Sequence, residues 1–174
     1  MFLKTHSSQD RLRIWREIRQ KDFSNSQELV NEFSNIKILS RYLDYYTPKS
    51  WPNPFEIVSE GYFCCSGVTL ILTATLINKG FITSNNLTFP VISNNITGDS
   101  GIVLLHEDEV FNFTPGDIVS WEYVKNNATI FQTHNLDIET LKETTLGDYL
   151  NKEKKSDYFI NYHIIPMVSA IWSM

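Results

Sequence analysis

Two adjacent cysteines, Cys64 and Cys65, stand directly before a run, Ser66 to Lys79, that is apolar almost throughout and closes at Gly80. A thiol at the start of a buried helix is a recurring route to a reactive nucleophile. The helix macrodipole and the free N–H groups of the first turn stabilise a thiolate and lower its pKa. The same N–H groups can hold the oxyanion that forms when the thiolate attacks a carbonyl. Such chemistry needs a base, because a thiol near its free pKa of roughly 8.5 is mostly protonated at neutral pH. The chain has four histidines, His6, His106, His134 and His163, and none lies near the cysteines in sequence. Neighbouring cysteines make a badly strained disulfide, and no Cys or His spacing suits a structural zinc site. A plainer role for Cys65 is that of a small apolar residue opening a core helix, where free Cys commonly sits.

The cysteines are useful only if the run behind them is a helix. Val68, Thr69, Ile71, Thr73, Thr75 and Ile77 are β-branched and favour a strand. Length decides against it, since fourteen residues without a turn signal are long for a strand and ordinary for a helix. Ser66 is the expected N-cap, and Gly80 the residue just past the end. Upstream, Asp10–Lys21 reads as an amphipathic helix with an apolar stripe of Leu12, Ile14, Trp15 and Ile18, its arginines forming a solvated face. A second helix begins at an N-cap of Asn25 or Ser26 and turns Leu29, Val30, Phe33 and Ile36 to the core. Three prolines make Thr47–Pro54 an extended loop. Downstream, Gly101–His106 and Val110–Phe113 suggest a hairpin across Glu107-Asp108-Glu109, and a turn at Thr114–Asp117 follows. Strands are expected at Ile118–Val124 and Thr129–Thr133, then a helix near Ile138–Leu150 and a last strand near Tyr158–Ile165. Helices first and antiparallel strands afterwards make one α+β domain over residues 1–174.

The order and spacing of several short motifs resemble the bacterial transglutaminase-like cysteine proteinases, a branch of the papain-like superfamily. That family has a Val-Asn-x-Phe-x-Asn segment, then Trp-x-x-Pro-x-Glu, then a glycine-rich approach to the nucleophile. This chain has Val30-Asn31-Glu32-Phe33-Ser34-Asn35, then Trp51, Pro54 and Glu56, then Gly61 and the cysteines. The likeness runs from about Val30 to Phe113 and implies a transglutaminase-like fold in which a buried Cys-bearing helix packs on an antiparallel sheet. By its register Cys65, not Cys64, holds the nucleophile position. The family's acidic neighbours of the cysteine are replaced by Cys64, Ser66 and Gly67, which puts any calcium site that depends on them in doubt. Its histidine falls on Gly101 in Gly101-Ile102-Val103-Leu104, and its aspartate on Asn112. An Asn can orient an imidazole in such sites. His106 lies an odd five positions beyond Gly101, so a regular strand turns it to the opposite face.

A net charge of −5 argues against a broad nucleic-acid surface. No apolar run has the length of a membrane span. Residues Met1–Asp10 are too polar for a signal peptide, which suggests cytoplasmic synthesis. The Asn-x-Thr triplets at Asn86, Asn95, Asn112 and Asn127 then go unused, and with fifteen Asn they arise by chance. Abundant Asn, Ile and Lys beside only three Ala suggest an AT-rich genome of the kind many phages have. No cofactor and no metal is expected. Two functions remain open. One is a catalytically impaired transglutaminase-like domain kept as a structural or binding module, with a protein partner or an assembly such as a phage particle. Its 13% aromatic content can supply interface anchors. The other is an active cysteine hydrolase of peptide or amide bonds, with Cys65 as nucleophile, Asn112 as orienter and a histidine yet to be found.

Overall fold

The computed structural model describes residues 7–39, 43–61, 63–85 and 87–136. The chain divides into two compact units, Met1–Thr140 and Leu141–Met174, and every described residue belongs to the first. The helix expected near Ile138–Leu150, the strand near Tyr158–Ile165, and His6 and His163 lie outside the described residues.

Helices α1 (Ser8–Gln20), α2 (Ser26–Phe33), α3 (Pro54–Glu60) and α4 (Cys65–Asn78) precede the strands. Helix α1 buries Trp15 and Ile18 as its apolar stripe requires, and the Trp15 Nε1–H donates to Thr75 Oγ1 of α4 at 3.0 Å. Its arginines are not simply a solvated face. The Arg11 guanidinium donates to the carbonyls of Val58 (2.8 Å) and Ser59 at the end of α3, supplying partners that a helix C-terminus lacks. Arg19 lies 4.1 Å over the Trp15 ring. Arg13 matches the expectation, exposed and paired with Glu17 at 2.6 Å. Helix α2 starts from Asn25, whose side chain accepts from the Glu28 N–H.

The proline-rich segment holds more helix than expected. Pro48–Ser50 forms a 3₁₀ turn and Pro54 opens α3. Proline forbids a helix interior, but at the first position its fixed φ and missing N–H cost nothing. Asn53 and Glu56 complete a reciprocal capping box, and Gly61 ends α3 at φ 75°.

Helix α4 is the predicted central helix, one residue earlier at each end. Cys64, not Ser66, is its N-cap: the Cys64 sulfur accepts from the Gly67 N–H at 3.3 Å, while Ser66 is buried and used elsewhere. Ten of its fourteen residues are buried, so its β-branched residues are accommodated by packing on every side, and burial overrides propensity.

The strands are β1 (Leu87–Asn94), β2 (Ser100–Ile102), β3 (Leu104–His106), β4 (Glu109–Phe111), β5 (Ile118–Ser120) and β6 (Ala128–Leu136), all paired antiparallel. The longest pairing, β1 with β6, involves a strand the sequence pattern did not mark. β1 is buried on both faces, so it lacks alternation, and it contains Pro90. Strands β2 and β3 share one register against β1, and Val103 between them donates to the Pro90 carbonyl at 3.1 Å. Pro90 has no N–H to return, so the ladder breaks there. Ile118–Val124 is not one strand: β5 stops at Ser120, whose hydroxyl accepts from the Tyr123 N–H and caps helix α5 (Trp121–Asn127). Ser120 is a ready N-cap, and the strand expectation overlooked it.

The main core lies between the helices and one sheet face and includes Val91, Ile102, Leu104 and Phe111. The other face carries Ile92, Val103, Val110 and Phe113, joined by Val124 of α5. Asn53→Ala removes one half of the capping box and is expected to cost about 1 kcal/mol, read as a lower urea midpoint at unchanged slope.

Candidate functional site

The two sequence-predicted site residues, Cys65 and Asn112, come together although 47 residues separate them. The joint begins where β4 ends. After Phe111, Asn112 takes φ 64° and carries the chain out of the sheet, so no strand residue pairs with Ile102 on that side. The backbone of Ile102 is paired with α4 instead. Its N–H donates to Ser66 Oγ at 3.2 Å, and its carbonyl accepts from Thr69 Oγ1 at 2.8 Å. Asn112 then bridges the same turn of helix, its Nδ2 donating to the Cys65 carbonyl (2.9 Å) and to Thr69 Oγ1 (2.8 Å). A left-handed φ is tolerated by Asn better than by most residues.

Cys65 is the first residue of α4 and is half-buried. Its thiol is not poised as an anion. Burial pushes its pKa above that of a free thiol, and the charge of Asp99 and the neighbouring Cys64 add to that rise. The helix start that should favour a thiolate is outweighed here by loss of water.

Gly101 of β2 faces this corner. A Cβ built on it would lie 4.0 Å from the Cys65 Cβ, so position 101 is where β2 would direct a side chain at the cysteine. The two histidines among the described residues are elsewhere. His106 has the strand parity of Ile102 and Leu104, whose side chains enter the main core, and it sits five residues, roughly 16 Å, beyond Gly101. His134 of β6 is buried, bonded through Nε2 to the Tyr45 carbonyl at 2.9 Å, with its ring edge-on to Trp51 at 5.5 Å. It pairs with Phe89, whereas Gly101 pairs with Ile92. Two strand spacings and three residues therefore separate them, roughly 14 Å between backbones.

Trp51, Pro54 and Glu56 serve structure. Trp51 is buried, donates to the Asp44 carbonyl at 2.8 Å and lies edge-on to Phe89. Pro54 and Glu56 start and cap α3, which packs on α4 and leads into it through Gly61.

With this geometry in view, the chain is similar in structure to LapG from Legionella pneumophila. The calcium-bound form matches with a TM-score of 0.56 and 15% identity, covering 76% of this chain and 78% of that one. Another LapG structure matches at 0.55 and 17%, covering 76% of each. An EGTA-treated form gives 0.54 and 17%, again with 76% of each chain covered. The fold is transglutaminase-like. No sequence family and no curated protein matches the chain. Within this fold the start of α4, which bears Cys65, packs against β2. No helix among the described residues is long and apolar enough to cross a membrane.

Thr69 shows what the joint is worth. Thr69→Val keeps the shape but leaves the Ile102 carbonyl and one Asn112 N–H without partners. A loss of about 2–3 kcal/mol is expected in urea unfolding.

Proposed function

We propose that this chain is a transglutaminase-like domain that acts by binding a protein partner and not by cysteine catalysis. The observation that carries the reading is Gly101: the strand position that faces Cys65 has no side chain, so no imidazole from β2 can take the thiol proton. Asn112 points the same way, since both N–H groups of its amide hold α4 to the sheet. Thiolate attack on a carbonyl needs a base within hydrogen-bond reach or a lowered thiol pKa, and here the shift is upward. What the fold retains is a rigid scaffold. Exposed apolar residues such as Phe55, Ile96, Tyr123 and Phe131 can anchor a partner.

A second reading, a cysteine hydrolase, is favoured by one observation: Cys65 opens a buried helix and keeps partial exposure, with Asn112 beside it. Alkylation by iodoacetamide separates the two. A raised thiol pKa means fewer thiolates at any pH below it, so native Cys65 is expected to react slowly at pH 6. It should also react more slowly than in urea at the same pH, and accelerate only at a pH above the range in which a free thiol ionises. Fast modification at pH 6 that Cys65→Ser abolishes and Cys64→Ser spares would show an activated thiolate and favour the hydrolase reading instead.

Calcium is a second discriminator, because one LapG neighbour is described as calcium-bound. The residues around Cys65 do not fit a hard cation, which takes six or more oxygen ligands. Cys64, Ser66 and Gly67 flank it, and the described residues contain no group of three His, Cys, Asp or Glu able to hold a metal. A ligand that binds only the folded state raises its melting temperature. The melting temperature is therefore expected to be the same in excess EGTA and in millimolar calcium, and a rise with calcium would count against the assignment.

A further inference from the structure

The empty position at residue 101 is not explained by the backbone. Gly101 is buried in a regular strand and lacks the left-handed φ that Gly61, Gly80, Gly98 and Gly116 have. What an added Cβ would meet is a side chain: Ser66 Oγ at 2.9 Å, closer than such atoms approach, with the next atoms at 3.9 and 4.0 Å. Ser66 cannot easily yield. It is 1% exposed, and its Oγ is the acceptor for the Ile102 N–H, which has no strand partner on that side. Rotating the hydroxyl away would leave a buried N–H unpaired.

We infer that Ser66 is the positioning residue that keeps residue 101 without a side chain, and thereby keeps the strand facing Cys65 from offering it a base. The inference rests on the reading of Cys65 as unactivated and supplies its physical cause. Among the described residues no base stands beside the thiol, because the hydroxyl that docks α4 on β2 fills the space through which a side chain from position 101 would pass. A histidine at position 101 is then incompatible with Ser66, and base and serine hydroxyl exclude one another. Removing the hydroxyl leaves only contacts near 4 Å around the new Cβ, which is ordinary packing.

The test is a cycle of four proteins: wild type, Ser66→Ala, Gly101→Ala and the double variant, compared by urea midpoint. Gly101→Ala is expected to lower the midpoint sharply in the wild-type background and hardly at all in the Ser66→Ala background. Equal losses in both backgrounds would overturn the inference. Gly101→His then probes the chemistry in the same two backgrounds, through the pH profile of Cys65 alkylation by iodoacetamide. With Ser66→Ala, the rate at pH 6 is expected to rise about five-fold or more, since an imidazolium beside a thiol lowers its pKa. Activation by Gly101→His with Ser66 intact, or a folded double variant with an unchanged rate, would overturn it. If the histidine variants fail to fold, the alanine cycle still decides. Rapid alkylation of the wild type at pH 6 would refute the unactivated-thiol reading while leaving the steric cycle to stand or fall alone.

Discussion

The backbone of Ile102 is the constraint around which the domain is arranged. β4 leaves the sheet two residues too soon to pair with it, so a buried N–H and a buried carbonyl must find partners elsewhere. Helix α4 provides them, through Ser66 Oγ and Thr69 Oγ1. An apolar helix with no polar stripe has little to fix its rotation, because packing alone tolerates many orientations. Two side-chain bonds to one strand residue, reinforced by Asn112, fix both its rotation and its height. They thus determine where Cys65 sits relative to β2.

Such a joint also limits what the corner can do. Ser66, Thr69 and Asn112, the polar side chains bonded around the start of α4, are already engaged in holding the helix. Unmaking a buried hydrogen bond costs the full desolvation of its orphaned partner, whereas making it gains only about 1 kcal/mol. A side chain that both docks the helix and assists a reaction would have to break its structural bond to do so. Ser66 and Thr69 cannot do both. The high thiol pKa follows from the same packing, since dehydration disfavours the anion more than the start of α4 favours it.

The sequence disclosed the elements whose pattern belongs to one face or one terminus. The stripe of α1, the Asn25 cap of α2 and the length of α4 between Cys64 and Gly80 were legible because each is a local signal. So was the approach of Asn112 to the Cys65 corner, although only through motif order and not through any property of Asn112 itself. What stayed hidden depends on partners far along the chain. β1 has no alternation because both of its faces are covered, and Pro90 disguised it further. α3 was obscured because proline breaks a helix interior yet is well suited to a first residue. Ser66 looked like an N-cap because its long-range acceptor role, to a residue 36 positions away, leaves no trace in its neighbours. The sulfur of Cys64 took the cap instead, a weak acceptor.

Gly101 illustrates how an absence acquires meaning only in three dimensions. In sequence it is one glycine before a β-branched pair, and a bulge or close approach would account for it equally well. The structure selects close approach and names the group that approaches, Ser66 Oγ. The Ser66 hydroxyl that takes this space also accepts from the Ile102 N–H, so a buried hydrogen bond secures the close approach. The arrangement is then stable in its own right. A histidine placed at position 101 alone would have to displace a buried bond, the same bond that holds α4 in place.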